Sequence, residues 1–502
     1  MRILRFARPA SVVALTAGLL SPGLWLGAPQ DAAVFVIAGT RIRDGFMPYK
    51  DLWDHKPPGA YILNAVGQAA LPWLDPWLVA WLLTVVFAAA CVLLVDGLLR
   101  RRLSSGVAYV WSLVFLFGIA WHPLALGGGA TESFALLPLV AALWVVATRP
   151  ADLPATLRDT TAIGLLLGTA CLVSLQSVPA AAVLFVAAAA RDGSARDRLR
   201  GVAALIVGGL ALPALVAVWL AVGGALGDAF DQIVTYNAAY RQSSAGVGEI
   251  LPIVVLLLAG LAVPVAITVA RMVRRPRDFD RVTWASLGWL VAYSAYLGFE
   301  GRIYLHYLIL AMPPIVLLAA SGTEWLAVHF TSTDRRRRGL ATALTAATAC
   351  AGLISATVAV GLIGITLDRA GKEKLHSDQT AAWIEANSPK SATLFVWGDD
   401  PVLYVTTGRP PYDRYVYQFP MVTAGYWSAD RTAALLQAWR SSPPALIVES
   451  PTPVPLFLAA DADIDTRNLD TLGPMRDFIR ANYRAAGTFG DHAVYVLMAT
   501  GG

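Results

Sequence analysis

Residues 28–60 read APQDAAVFVIAGTRIRDGFMPYKDLWDHKPPGA, and this stretch concentrates the side chains best suited to chemistry. Asp31 comes first, followed by an amphipathic segment to Arg43. Gly45 and Pro48 break that segment before Asp51, Asp54, His55 and Lys56 cluster ahead of Pro57 and Pro58. A carboxylate so placed can take a proton from an attacking hydroxyl, and a lysine can stabilise charge that develops on a leaving group. The two prolines restrict the backbone directly after Lys56, which limits where its ammonium points. A plainer reading stays open, because charged residues crowd any loop at a membrane surface and simply remain solvated there.

Three more ionisable residues stand beside apolar runs. Glu132 follows Gly127-Gly128-Gly129-Ala130-Thr131 at the mouth of one run. It either faces a cavity or partner, as ionisable groups near lipid do, or caps its helix. Arg302 and His306 precede another run. Arg302 reads as an anion ligand or as an anchor that snorkels at a span end, and His306 as a ligand or a packed, hydrogen-bonded ring.

Composition dictates what must position these groups. Of 502 residues, 57% are hydrophobic and only 15% charged, a balance that calls for surrounding lipid. Apolar runs long enough to cross about 30 Å of hydrocarbon are expected at 10–28, 77–99, 105–122, 131–148, 160–175, 179–190, 202–223, 251–272, 283–299, 306–328 and 340–366. The first follows Arg2, Arg5 and Arg8 and also has the look of a signal sequence, but its length and the spans after it favour a first membrane helix.

Arginines at 100–102, 149 and 158, 191–200, 271–281 and 335–338 fall on alternate connections, which places those connections and the N-terminus in the cytoplasm. The loop 29–76, the turn at 121–130, residues 174–179, 224–250 and 300–302 then open outside. The stretch Asp228 to Arg241 reads as an acceptor groove or an interfacial aromatic belt. The formal charge of +5 belongs to the cytoplasmic loops, so nucleic acid is rejected as a partner. Cys91, Cys171 and Cys350 all lie in apolar spans and indicate no disulfide framework.

From Asp368 onward the apolar runs stop. Strand-like segments Thr393 to Trp397, Ala445 to Val448 and Ala493 to Met498 alternate with a helical stretch, Ser428 to Arg440. The expected fold class is an all-α polytopic membrane domain of about eleven transmembrane helices over residues 1–367, followed by a small α/β extracytoplasmic domain over 368–502. In that second domain Arg409, Tyr412 and Arg414 form a Pro-pinned loop that reads more readily as structural than as a cover for a site.

The first-loop residues Asp31, Gly45, Pro48-Tyr49, Asp51 and Asp54-His55-Lys56-Pro57-Pro58 resemble the first extracytoplasmic loop of the GT-C membrane glycosyltransferases. The likeness is to the bacterial family-39-like group that includes protein O-mannosyltransferases and aminoarabinose transferases. Gly127 to Glu132, Gly301-Arg302 with His306-Tyr307 and Pro313, and Trp397-Gly398-Asp399 through Arg414-Tyr415 are similar to later motifs of that group. One departure is Asp31-Ala32, where many relatives carry Asp-Glu.

The resemblance implies an inverting glycosyltransferase of the cytoplasmic membrane. It would take a sugar from a polyprenyl-phosphate carrier and place it on an envelope glycan, lipid or protein at the outer face. Asp31 would be the base, with Glu132 orienting the acceptor. Lys56, Arg302 and His306 would meet the phosphate, and Tyr49, Asp54 and His55 would complete the substrate site. An arginine grips two phosphate oxygens, whereas lysine acts as a point charge. A divalent cation shared by Asp31 and Glu132 is compatible with hard-ion chemistry, but the sequence shows no dense ligand spacing and metal stays unassigned. Two alternatives remain. A transporter or flippase of lipid-linked sugars would place ionisable groups at mid-membrane, and an assembly protein would need neither Asp31 nor Lys56.

Overall fold

A computed structural model describes residues 2–149, 156–190, 194–242, 247–301, 303–450, 458 and 469–498. The first part is built from α1 (Arg2–Leu20), α2 (Gln30–Arg43), α3 (Gly59–Ala70), α4 (Pro76–Arg100), α5 (Ser105–Ala120), α6 (Thr131–Thr148) and α7 (Leu157–Val173). It continues through α8 (Val178–Ala189), α9 (Ala195–Val222), α10 (Val247–Arg274), α11 (Arg281–Glu300), α12 (Leu308–Phe330) and α13 (Arg335–Asn387).

All eleven expected spans fall on helices. Among the described residues, seven helices are long and apolar enough to cross a membrane, and the segments Ser105–Ala120 and Leu175–Ala189 are apolar but shorter. Sixteen residues reach about 24 Å, short of a full hydrocarbon core. The remaining two expected spans lie on α7 and α11 and fall outside the seven. Arg158 and Asp159 occupy the first turn of α7, and α11 mixes serine, glycine and tyrosine into its apolar run. The chain is a multi-pass membrane protein.

The first span is broken. After α1 a five-residue turn, Pro22–Leu26, leads to α2. Two indoles fasten this segment to α4: Trp81 donates to the Leu20 carbonyl and Trp77 to that of Gly23, both at 2.9 Å. Asp75 caps α4 by accepting from the amides of Trp77 and Leu78.

The connections expected to open outward all contribute to one cavity. At the other ends of the helices, Arg102 pairs with Asp280 at 2.6 Å and Ser104 donates to Glu324 at 2.8 Å.

α13 runs through residues 367 and 368 without a break. Its 53 residues make a rod about 80 Å long that rises as a stalk into the second part of the chain. There the sheet has the order β1 (Leu394–Trp397), β2 (Leu446–Glu449), β4 (His492–Leu497), β3 (Tyr483–Phe489). β1 and β2 are parallel, joined by a crossover that carries the helix Ala429–Ser441, and β3 and β4 form an antiparallel hairpin. β3 was not foreseen. Its middle, Arg484 to Gly487, carries no β-branched or aromatic residue, and its register slips between Ala485 and Gly487.

A small apolar cluster at Ile267, Leu326 and Ala341 and two large ones form the core among the described residues. One joins the membrane helices. The other unites Phe35, Tyr49, Trp53 and Tyr61 of the first loop with Tyr236 and with Trp397, Tyr417, Tyr426 and Trp439 of the second part. Residues 34–61 are therefore packed into the core of the second part of the chain, which explains how so polar a segment is held in one conformation.

Candidate active site

Asp31 lies in the first turn of α2, where the helix dipole favours an anion. Its Oδ1 is 3.2 Å from Lys56 Nζ, and the carboxylate is half exposed to a cavity of 1820 Å³ between the membrane helices and the sheet. Lys56 is fixed at both ends. Its ammonium sits 5.1 Å over the Phe35 ring, and its carbonyl accepts from the hydroxyl of Tyr49 at 2.8 Å.

Electrostatics keep the pair charged. Burial alone would raise the Asp31 pKa, but Lys56 and then His306 outweigh it and hold the carboxyl below its ordinary value. Burial likewise opposes the Lys56 charge, and Asp31 and Asp54 reverse that effect, leaving the ammonium protonated far above neutrality.

Tyr49 and Asp54, expected among the substrate ligands, are fully buried and do not line the cavity. Asp54 accepts from Tyr61 and Tyr417 hydroxyls at 2.6 Å each and from the His55 amide at 2.8 Å, so its lone pairs are used by the fold. Burial works against its charge, and Lys56 with these hydrogen bonds takes it well below the usual carboxylate range. Tyr49 occupies the left-handed region at φ 69°, with its carbonyl taken by Gln232 Nε2 at 2.7 Å. Tyr49 instead donates its hydroxyl to the Lys56 carbonyl.

His55 does line the cavity, with Nδ1 at 3.2 Å from Tyr417 Oη and its ring against Tyr236. Glu132, almost entirely buried at 3% exposure, also lines it. Glu132 accepts from Thr131 Oγ1 at 3.0 Å and Ser174 Oγ at 3.3 Å, and His306 Nε2 approaches to 4.0 Å. His306 in turn stacks on Tyr304. Asp31, Lys56, His55, Glu132 and His306 thus share one cavity, while Arg302 lies outside the described residues. Among the described residues no group of three or more His, Cys, Asp or Glu side chains is placed to hold a metal.

Several contributors were not singled out from sequence. A π-helix at Asp231–Tyr236, a form that is rare and common at functional sites, supplies Gln232. That amide bridges the Tyr49 carbonyl and the Asp54 amide. The aromatic stretch Asp228 to Arg241 lines the cavity in part and docks the second domain in part. Arg414 pairs with Asp228 at 2.8 Å, and Arg431 with Asp231 at 3.0 Å. Arg409 is buried and donates to carbonyls of Ile384 and Ser388, so the Pro-pinned loop is a structural tie. Asp399, Tyr417 and Ser450 bring the second domain into the cavity wall.

No protein-family model matches the sequence, and no curated protein matches it. Solved structures do. The crystal structure of ArnT from Cupriavidus metallidurans bound to undecaprenyl phosphate aligns over 98% of both chains with a TM-score of 0.59 and 17% identity. Its apo form aligns over 99% of both chains at 0.59 and 15% identity. The chain shares the fold of these structures, and at this level of identity the likeness extends to the fold alone.

Proposed function

We propose that this chain transfers a sugar from a polyprenyl-phosphate carrier to an envelope acceptor at the outer face of the cytoplasmic membrane. The reading is carried by the Asp31–Lys56 pair, 3.2 Å apart in a large cavity that borders both apolar helices and an extramembrane domain. It is supported by a fold shared with ArnT, which was crystallised with undecaprenyl phosphate.

In this reading the acceptor oxygen attacks the anomeric carbon as the bond from that carbon to the phosphate oxygen breaks. The electron pair leaves with the phosphate, the acceptor proton passes to Asp31, and single displacement inverts the anomeric centre. Lys56 neutralises the charge gained by the phosphate, with His306 on the same wall and Arg302, by its sequence position, as a further cation. The phosphate departs as a stable anion, so no partner acid is required, unlike hydrolysis of an ordinary glycoside. Glu132, held by Thr131 and Ser174, orients the acceptor side.

The test is turnover of labelled polyprenyl-phosphate sugars by the purified chain in lipid nanodiscs. Release of polyprenyl phosphate is expected from the wild type and not from Asp31→Asn. Full activity in a folded Asp31→Asn protein would remove Asp31 as the base, and movement of the carrier across vesicles without bond cleavage would make the chain a transporter.

A further inference from the structure

The two walls of the cavity differ in charge. The membrane-domain wall holds Lys56, Arg241 and His306, whereas no lysine or arginine beyond residue 387 lines the cavity among the described residues. The stalk brings Arg369 and Lys374, but each is paired one turn away on its own helix, with Glu373 and Asp378. His492 is enclosed by Asp400 and Asp491, each at 2.9 Å. Among the described residues, the wall beyond residue 387 therefore presents no lysine or arginine to a ligand.

Asp399 projects from this wall on a turn that is tied on both sides. The Gly398 amide donates to Gln418 Oε1 at 2.7 Å, the Gln418 amide returns to the Gly398 carbonyl at 3.2 Å, and the Ser450 amide donates to the Trp397 carbonyl at 2.7 Å. Gly398 itself has φ +121°, and a Cβ there would meet Ser450 Cβ at 2.7 Å, so only glycine permits this close turn.

The adjacent carboxylates have different fates. Asp400 is consumed by the fold, accepting from Ser377 Oγ at 2.7 Å and facing His492 Nε2. Asp399 lines the cavity and has no hydrogen-bond or ion-pair partner among the described residues. A carboxyl held on a rigid turn without a partner is a ligand-binding group by its chemistry.

We propose that Asp399 contacts the acceptor, and that the acceptor is a neutral, hydroxyl-bearing glycan rather than a phosphorylated or acidic group. The proposal rests on the transferase reading above and adds the acceptor class. A wall without lysine or arginine offers a phosphorylated acceptor little counter-charge, whereas a carboxyl such as that of Asp399 matches the donors and acceptors of sugar hydroxyls. Burial and then the charge of Asp31 push Asp399 up to about 8, with Lys56 pulling down and Asp400 and Glu373 adding to the rise. At neutral pH the carboxyl then keeps its proton and both donates and accepts, as a hydroxyl partner requires.

The experiment uses the full chain in nanodiscs. Binding of polyprenyl phosphate is measured first. Transfer from polyprenyl-phosphate hexoses and pentoses is then followed with neutral manno-, gluco- and arabino-oligosaccharides, and with the same oligosaccharides carrying a terminal phosphate.

Transfer to neutral acceptors is expected. Asp399→Ala should raise the acceptor KM about tenfold, the equivalent of one lost hydrogen bond. Polyprenyl phosphate binding should stay within about twofold of wild type, the displacement expected when a group outside the phosphate site is changed. Asp399→Asn, which keeps both hydrogen-bonding functions, should recover most of the loss. An unchanged acceptor KM in Asp399→Ala, or preference for the phosphorylated acceptors, overturns the proposal. Wild type that binds polyprenyl phosphate but glycosylates none of the neutral acceptors defeats the acceptor class alone, whereas wild type that does not bind polyprenyl phosphate defeats the transferase reading beneath it.

Discussion

Lys56 Nζ lies 3.2 Å from Asp31 Oδ1, joining the start of α2 to the segment before α3 across 25 residues of chain. The two groups should fail differently. Asp31→Asn keeps the size and hydrogen bonding of the side chain but cannot take a proton, so turnover should fall by roughly 100-fold or more while carrier binding persists. Lys56→Met removes the cation that meets the phosphate, so polyprenyl phosphate affinity should weaken by about tenfold or more. Titrating both variants with polyprenyl phosphate and assaying turnover separates the two losses, and a matched loss of binding in both would contradict the division of roles.

Asp54 should matter for stability more than for direct contact. It is fully buried and accepts from Tyr61, Tyr417 and the His55 amide. Asp54→Ala leaves those donors unsatisfied and should cost about 2–3 kcal/mol, read as a lowered unfolding midpoint in detergent. Its pKa in the fold is depressed, so the stability it adds is present above the ordinary carboxylate value near 4 and is lost as pH falls through the folded value. Acid unfolding of wild type should therefore release more stability than acid unfolding of Asp54→Asn, whose side chain does not titrate. Equal pH dependence in the two proteins would contradict this.

Much of this was legible in the sequence. Membrane helices announce themselves through hydropathy, and the alternating arginines ordered their connections, so the groups now seen around one cavity were already assigned to one face. The local cluster Asp54-His55-Lys56 pointed to the right loop but not to the division of labour inside it. Whether Asp54 meets solvent or Tyr417 depends on a contact 363 residues away, which no local pattern encodes. The same holds for Gln232, whose partners lie in the first loop, and for Asp399, whose motif was visible while its freedom from the fold was not. β3 escaped because its middle, Arg484 to Gly487, carries little strand propensity.

Position 32 shows how the site tolerates its departure from the resembling families. Ala32 is 2% exposed, and a Cβ at Gly129, which has φ +85°, would stand 2.5 Å from the Ala32 Cβ. A glutamate here has no route to the cavity without displacing the Gly127–Gly129 turn that leads into α6 and Glu132. Ala32→Glu should therefore fail to yield folded protein, and Gly129→Ala should be strongly impaired, whereas Ala32→Gly should fold and retain most of its turnover. Size-exclusion profiles from detergent extracts check the first two, and a folded, active Ala32→Glu protein would show that the turn yields.

Docking of the second domain sets the first loop. The Trp53 amide donates to the Arg414 carbonyl at 2.7 Å, while the Arg414 guanidinium reaches Asp228 and the Tyr49 carbonyl. Arg431 and the Tyr426 hydroxyl both reach Asp231 on the π-helix. The two ion pairs are partly exposed, about 30% for Arg431 and Asp231, so each should contribute only about 0.5–1 kcal/mol. Loss of either arginine alone should be mild. The double variant Arg414→Ala, Arg431→Ala should loosen the backbone around Tyr49 and Lys56, because the Tyr49 carbonyl loses one donor and the π-helix that supplies Gln232 loses its anchor. Hydrogen exchange over residues 48–58 should accelerate in the double variant and turnover should fall several-fold, with polyprenyl phosphate binding reduced less than turnover because the Lys56 charge remains. Raising salt should push wild type part of the way toward the same behaviour, since pairs this exposed are screened. Unchanged exchange in the double variant would mean that the apolar contacts around Trp53 alone hold the loop.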